Sequence, residues 1–238
     1  MIPLRDSTRS ETYPFVTKTI ICLNVAVFLW ELSLGRHLPR AFVHYALIPA
    51  RYTHPAEAAE EFGAFGNPFA ALLPFATSMF LHGGWLHLLG NMWTLWIFGD
   101  NVEDRLGHGR FLLFYLGGGL AAGLVHVLTN GGSIVPTLGA SGAIAAVMGA
   151  YFRFFPHARV EAVIPPFFLG PTIVLPALVF LGFWFVLQFF NGAFSLLSSK
   201  SDFGGIAWWA HVGGFAFGLV VCLFVRGSRR SPPPIIEV

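Results

Sequence analysis

The chain has 238 residues, 55% of them hydrophobic and only 11% charged, with a formal net charge of +2. A soluble domain carries about one charged residue in four, so this composition and its long uncharged runs exclude an ordinary water-soluble globule and point to a polytopic membrane protein. The small net charge, spread over many loops, also excludes a basic nucleic-acid surface.

At about 20 residues per span, the length accommodates a single bundle of about six helices. Residues 1–19 form a polar N-terminal segment. The first apolar run, Ile20 to Leu34, has no small-residue cleavage site after it and reads as a retained span. A long connection from Gly35 to Met79 follows, with an acidic patch at Glu57, Glu60 and Glu61. Structureless loops of that length are uncommon, so this one is expected to fold on the membrane surface. The second span is expected from Trp85 to Phe98, the third from Phe111 to Leu128, the fourth from Ala140 to Phe155, the fifth from Phe167 to Phe190 and the sixth from Ile206 to Val225. The membrane domain is thus residues 20–226, and the tail 227–238, with Pro232, Pro233 and Pro234, is expected to be disordered. Cys22 and Cys222 both fall within spans and read as buried apolar thiols, not a disulfide framework.

Orientation follows from the basic residues. With six spans, one side holds Arg5, Arg9, Lys18, Arg105, Arg110, Arg153, Arg159, Arg226, Arg229 and Arg230, which are ten of the fourteen Lys and Arg residues. That side is assigned to the cytoplasm, with both termini. His87, Ser141 and His211 then converge near the opposite face, on three different spans.

The fourth span is short. From Ser141 to Phe155 it covers about 21 Å at 1.5 Å per residue, against a hydrocarbon core of about 30 Å. Ser141 therefore starts below the outer surface, and a wet cavity is expected above it, because the first helical N–H groups need partners. Those same groups, with the helix dipole behind them, suit an oxyanion. Ser141, Ala145 and Gly149 share one helical face, as do His211, Gly214 and Gly218. Two strips of small residues let helices approach closely, which brings the Ser and His at their heads within hydrogen-bonding reach. His87 and Asn91, four apart on the second span, can both donate to one oxygen.

Other uses of these residues carry less weight. Zinc wants a His-Glu-x-x-His helix or a carboxylate, whereas His82 and His87 are five apart and no acid lies near them in the second, fourth or sixth span, so no metal is expected. The same missing acid leaves Ser141 and His211 as a dyad, not a triad. Ala143 departs from the Gly-x-Ser-x-Gly elbow of soluble hydrolases. A transporter would show paired half-spans or a path of ionisable residues. A non-catalytic protein that binds transmembrane helices would use the same groove without turnover. Asn24 and Gln188 read as helix–helix hydrogen bonds. His37, His44, His54, His108, His126 and His157 are given no role.

In the order of the chain, His82-Gly83-Gly84-Trp85-Leu86-His87-Leu88-Leu89-Gly90-Asn91, Gly139-Ala140-Ser141-Gly142, and Ala210-His211 with Gly214 and Gly218 resemble the motifs of the rhomboid intramembrane serine proteases. The resemblance implies an all-α polytopic fold, a six-transmembrane-helix rhomboid-like bundle with a membrane-associated first loop. It implies Ser141 as nucleophile, His211 as general base and acid, and His87, Asn91 and the Ser141 N–H as the oxyanion hole. His82, Gly139, Gly142, Gly214 and Gly218 would be structural supports. No cofactor is implied, and the partners are the lipid bilayer and transmembrane protein substrates cleaved beside small side chains and near helix-weakening residues. The Phe-rich fifth span resembles the family's proposed lateral gate. Ala145 stands where members often carry an aromatic residue packed on the histidine. Bacterial inner membrane is the expected location, because the N-terminal segment holds acids as well as arginines.

Overall fold

The computed structural model describes residues 1–163, 172–197 and 207–225. Among the described residues ten α-helices dominate: α1 (Phe15–Ser33), α2 (Leu38–Tyr45), α3 (Ala50–Thr53), α4 (Pro55–Phe62), α5 (Pro68–Thr77), α6 (Trp85–Leu106), α7 (His108–Thr129), α8 (Ser141–Phe154), α9 (Ala177–Leu197) and α10 (Trp208–Phe224). By length and composition, α1, α7 and α9 can each cross a bilayer, and α5 with α6 passes as one pair bent by 81°. The helices α8 and α10 are apolar but shorter, with 14 and 17 residues.

The small side chains decide which helix is central. Every residue of α8 from Gly142 to Tyr151 is buried, because Gly and Ala let α6, α7, α9 and α10 close around it. The outer helices instead show large apolar side chains on their outward faces, among them Leu29, Leu113, Leu124, Phe183 and Phe190. An apolar exterior of this kind is solvated by lipid tails, not by water.

The fold is mostly helical, as expected, but it carries a small sheet that an all-α reading leaves out. Strands β1 (Ile2–Asp6), β2 (Arg159–Val163) and β3 (Thr172–Pro176) form an antiparallel sheet in that order, with Ile2 opposite Val163 and Val163 opposite Thr172. Val160 and Ala162 are buried while Arg159 and Glu161 point away, the period of two of a half-buried strand. The expected fifth span is corrected accordingly. Thr172, Ile173 and Val174 are β-branched and pair with β2, so the helix begins only at Ala177, past Pro176, and runs on to Leu197. The start expected at Phe167, the start of the sixth span at Ile206 and the tail 227–238 lie outside the described residues.

The long connection contains helices of its own. It is built from α2 to α5, and Arg51 staples it by donating to the Val43 carbonyl at 2.7 Å and the Gly63 carbonyl at 3.1 Å. The start of α1 is held by Glu103 of α6, whose carboxylate accepts from the N–H of Val16 at 2.9 Å and of Thr17 at 2.7 Å. Here an acid from another helix serves as the N-terminal cap that Pro14 cannot supply. Of the two thiols, Cys222 is buried but Cys22 is exposed on the outer face of α1, because the buried stripe of that helix runs through Ile20, Asn24 and Phe28 instead.

Candidate active site

Ser141 is the first residue of α8 and is reached through Gly139, whose φ of +120° favours glycine. The Gly139 N–H donates to the Ser78 carbonyl at 2.8 Å and fixes the turn. The N–H groups of the first α8 turn have no partner within the helix. Across from them, His211 lies in the first turn of α10, and its Nε2 is 2.8 Å from Ser141 Oγ.

The approach of α8 and α10 makes this contact possible. A Cβ on Gly214 would run into the Gly142 carbonyl, one on Gly218 into the Ala146 carbonyl, and one on Gly149 into the Phe215 carbonyl. The two strips of small residues thus interlock backbone to backbone, as their spacing indicates. Ala145 is fully buried in this seam.

The second ring nitrogen of His211 also has a partner. Nδ1 lies 2.8 Å from Gln188 Oε1, and Gln188 Nε2 donates to the Trp184 carbonyl one turn back at 3.3 Å. With the amide so turned, Oε1 accepts from an Nδ1–H, and Nε2 presents its lone pair to the Ser141 hydroxyl. The Trp184 ring lies 5.7 Å from the imidazole, tilted by 34°. Sequence reading took Gln188 for a bond between helices, which it is, and overlooked Trp184. The available signal was their spacing of four on one face of an apolar helix. Asn24, by contrast, bonds the Ile20 carbonyl of its own helix at 2.8 Å.

His87 and Asn91 reach the same place from α6. A Cβ on Gly139 would meet His87 Nε2 at 2.6 Å and Asn91 Nδ2 at 3.6 Å, so both nitrogens face the approach to Ser141. The Gly83 N–H lies 3.4 Å from His87 Nδ1, which leaves Nε2 as the donor. Asn91 Nδ2 is buried without a hydrogen-bond partner. An amide donor left so is costly unless an acceptor arrives. His82 is set apart: its backbone N–H donates to the Glu31 carboxylate at 3.0 Å and its ring packs on His87 at 5.1 Å. A cavity of about 670 Å³ opens between α6 and α9, lined by His87, Asn91, Ser141 and His211 and walled by Phe98, Phe180 and Trp184.

The model of the rhomboid domain matches residues 70–228, which include His87, Asn91, Ser141, Gln188 and His211. The chain belongs to the rhomboid family. It is 33% identical over 153 residues to presenilin-associated rhomboid-like protein A, mitochondrial, of Danio rerio, covering 62% of this chain and 36% of that protein. It is 29% identical over 207 residues to rhomboid protein 1, mitochondrial, of Saccharomyces cerevisiae, covering 84% of this chain and 50% of that protein. To rhomboid protease GluP of Bacillus subtilis it is 32% identical over 139 residues, 58% of this chain and 24% of that one. This rhomboid chain therefore spans half or less of the length of each of these relatives.

Proposed function

We propose that this rhomboid is an intramembrane serine endopeptidase that cleaves transmembrane segments of other membrane proteins. The observation that carries the reading is the 2.8 Å contact between Ser141 Oγ and His211 Nε2, beside a buried Asn91 amide that has no acceptor of its own. Membership of a family that includes named proteases supports it.

In this reading Nε2 of His211 takes the hydroxyl proton as Ser141 Oγ bonds to the scissile carbonyl carbon. The oxyanion so formed accepts from His87 Nε2–H, Asn91 Nδ2–H and the Ser141 N–H. The carbon–nitrogen bond then breaks, and His211 returns the proton to the leaving amine. Water from the cavity attacks the acyl-enzyme, losing a proton to His211, and Ser141 is regenerated as the acid product leaves. The amide must first be freed from its own helix, so substrates with helix-weakening residues near a small side chain are favoured.

The six apolar helices α1, α6, α7, α8, α9 and α10 serve as the spans of the membrane domain, which begins with α1 at Phe15 and not at residue 20 as expected for a domain over 20–226, with both termini in the cytoplasm. Of these, α8 has only 14 residues, which sets Ser141 at its head below the outer surface. The bacterial membrane suggested by the N-terminal charges gains no support from relatives that are mostly named mitochondrial.

The test is labelling of the detergent-purified protein by a fluorophosphonate. Wild type should label, and Ser141→Ala and His211→Ala should not. A folded wild type that fails to label would point instead to a rhomboid that binds transmembrane helices without cleaving them.

A further inference from the structure

We propose that Gln188 is a positioning residue for His211, supplying in neutral form the orientation that a carboxylate gives the histidine of a soluble serine protease. The proposal rests on the reading of Ser141 and His211 as an active pair. Three features carry it. Gln188 Oε1 is 2.8 Å from His211 Nδ1, and Gln188 is only 6% exposed, so no water competes for that bond. The amide has one orientation, because Nε2 is occupied by the Trp184 carbonyl. Trp184 packs on one side of the imidazole at 5.7 Å and is itself seated on Phe215 at 6.3 Å.

The chemistry follows from the two ring nitrogens. An imidazole that donates from Nδ1 offers a lone pair at Nε2, and only that tautomer can take the proton of Ser141. A Gln turned the other way would donate to Nδ1 and place the proton on Nε2, abolishing the base. Without any acceptor at Nδ1, the ring is free both to rotate and to change tautomer. A carboxylate would hold it as well, but at the cost of a charge in an apolar interior. The amide oxygen also stabilises the imidazolium as it forms, since its dipole points at the developing charge. Trp184 packs on the imidazole from α9, whereas α8 offers only the small Ala145 in its buried seam.

The experiment compares fluorophosphonate labelling rates of the full chain in wild type, Gln188→Leu, Gln188→Asn and Gln188→Glu, each with its thermal unfolding midpoint. Gln188→Leu fills the same space without an acceptor and should lose at least about tenfold in labelling rate with its unfolding midpoint nearly unchanged. Gln188→Asn, one methylene shorter, should fall in the same way. Gln188→Glu restores the acceptor and should recover most of the rate, which a residue needed only for packing would not do. Labelling of Gln188→Leu at the wild-type rate, or equal loss in the Leu and Glu variants, would overturn the proposal while leaving the Ser141–His211 reading intact. If folded wild type does not label, that reading falls and the proposal with it.

Discussion

Gly214 of α10 lies directly against the carbonyl of Gly142 on α8, so closely that a single methyl group has no room between them. The obstacle is backbone, which cannot swing aside as a side chain does. Gly214→Ala should therefore separate the two helices near their heads, at a cost of about 1–3 kcal/mol for overpacking. Because Ser141 and His211 sit at those heads, labelling should fall by more than the loss of folded protein accounts for. Thermal unfolding and active-site labelling on the same sample measure both.

Asn91 offers the opposite combination. Its amide Nδ2 is buried and unpaired in the resting protein, so Asn91→Ala removes a desolvated donor and breaks no hydrogen bond made by that atom. The unfolding midpoint should stay level or rise. Turnover should drop by about a hundred- to a thousandfold, the usual effect of losing one oxyanion donor. A variant that loses stability and keeps its rate would remove Asn91 from the proposed site.

Ala145 tests the idea that α9 has taken over the support of His211. It is fully buried, and it would lie 3.2 Å from a Cβ on Gly214. Placing an aromatic ring here, as Ala145→Phe, should not raise labelling. It should lower the unfolding midpoint by the equivalent of about 1–3 kcal/mol and reduce labelling, because the ring would have to enter a closed seam.

Asp6, in the N-terminal strand, introduces a pH dependence far from the site. Burial pushes its carboxyl up to about 7, with nearby Asp100 adding to the rise, although the Tyr151 hydroxyl donates to it and opposes the shift. Between an ordinary unfolded value of about 4 and a folded value of about 7, the folded form binds more protons. Stability of this region should therefore fall as pH rises through that window and level off above it. Hydrogen exchange at β1 measured from pH 4 to 8 should show protection decreasing upward in wild type. In Asp6→Asn the slope should be shallower.

Glu103 holds the start of α1 from another helix, and a third contact comes from Thr17 Oγ1, which donates at 2.6 Å. Glu103→Ala leaves those donors buried without acceptors and should cost about 2 kcal/mol, read as a lower unfolding midpoint. Glu103→Gln keeps one acceptor and should fall between.

Much of this molecule was legible before any coordinates. The apolar runs announced the helices, and the spacing of Gly214, Gly218, Ala145 and Gly149 announced the seam, since periodicity of small residues is a local property of the chain. The sheet was not legible. Five-residue strands hold too few periods to separate them from an apolar helix start, and the pairing of Ile2 with Val163 is a long-range event. The partners of His211 were missed for the same reason. A glutamine in an apolar span signals a hydrogen bond, but nothing in the sequence says with what.

The sheet has a mechanical consequence. Strand β3 ends at Pro176 and α9 starts at the next residue, so the start of that helix is clamped by β2 while the rest lies on the outside of the bundle. The helix is a lever with its fulcrum at Ala177. Gln188 rides about 16 Å along it, and a tilt of about 10° would carry the side chain about 3 Å, comparable to the whole length of its bond to His211. An outward tilt of α9 would therefore break the contact between Gln188 and His211, whatever its cause.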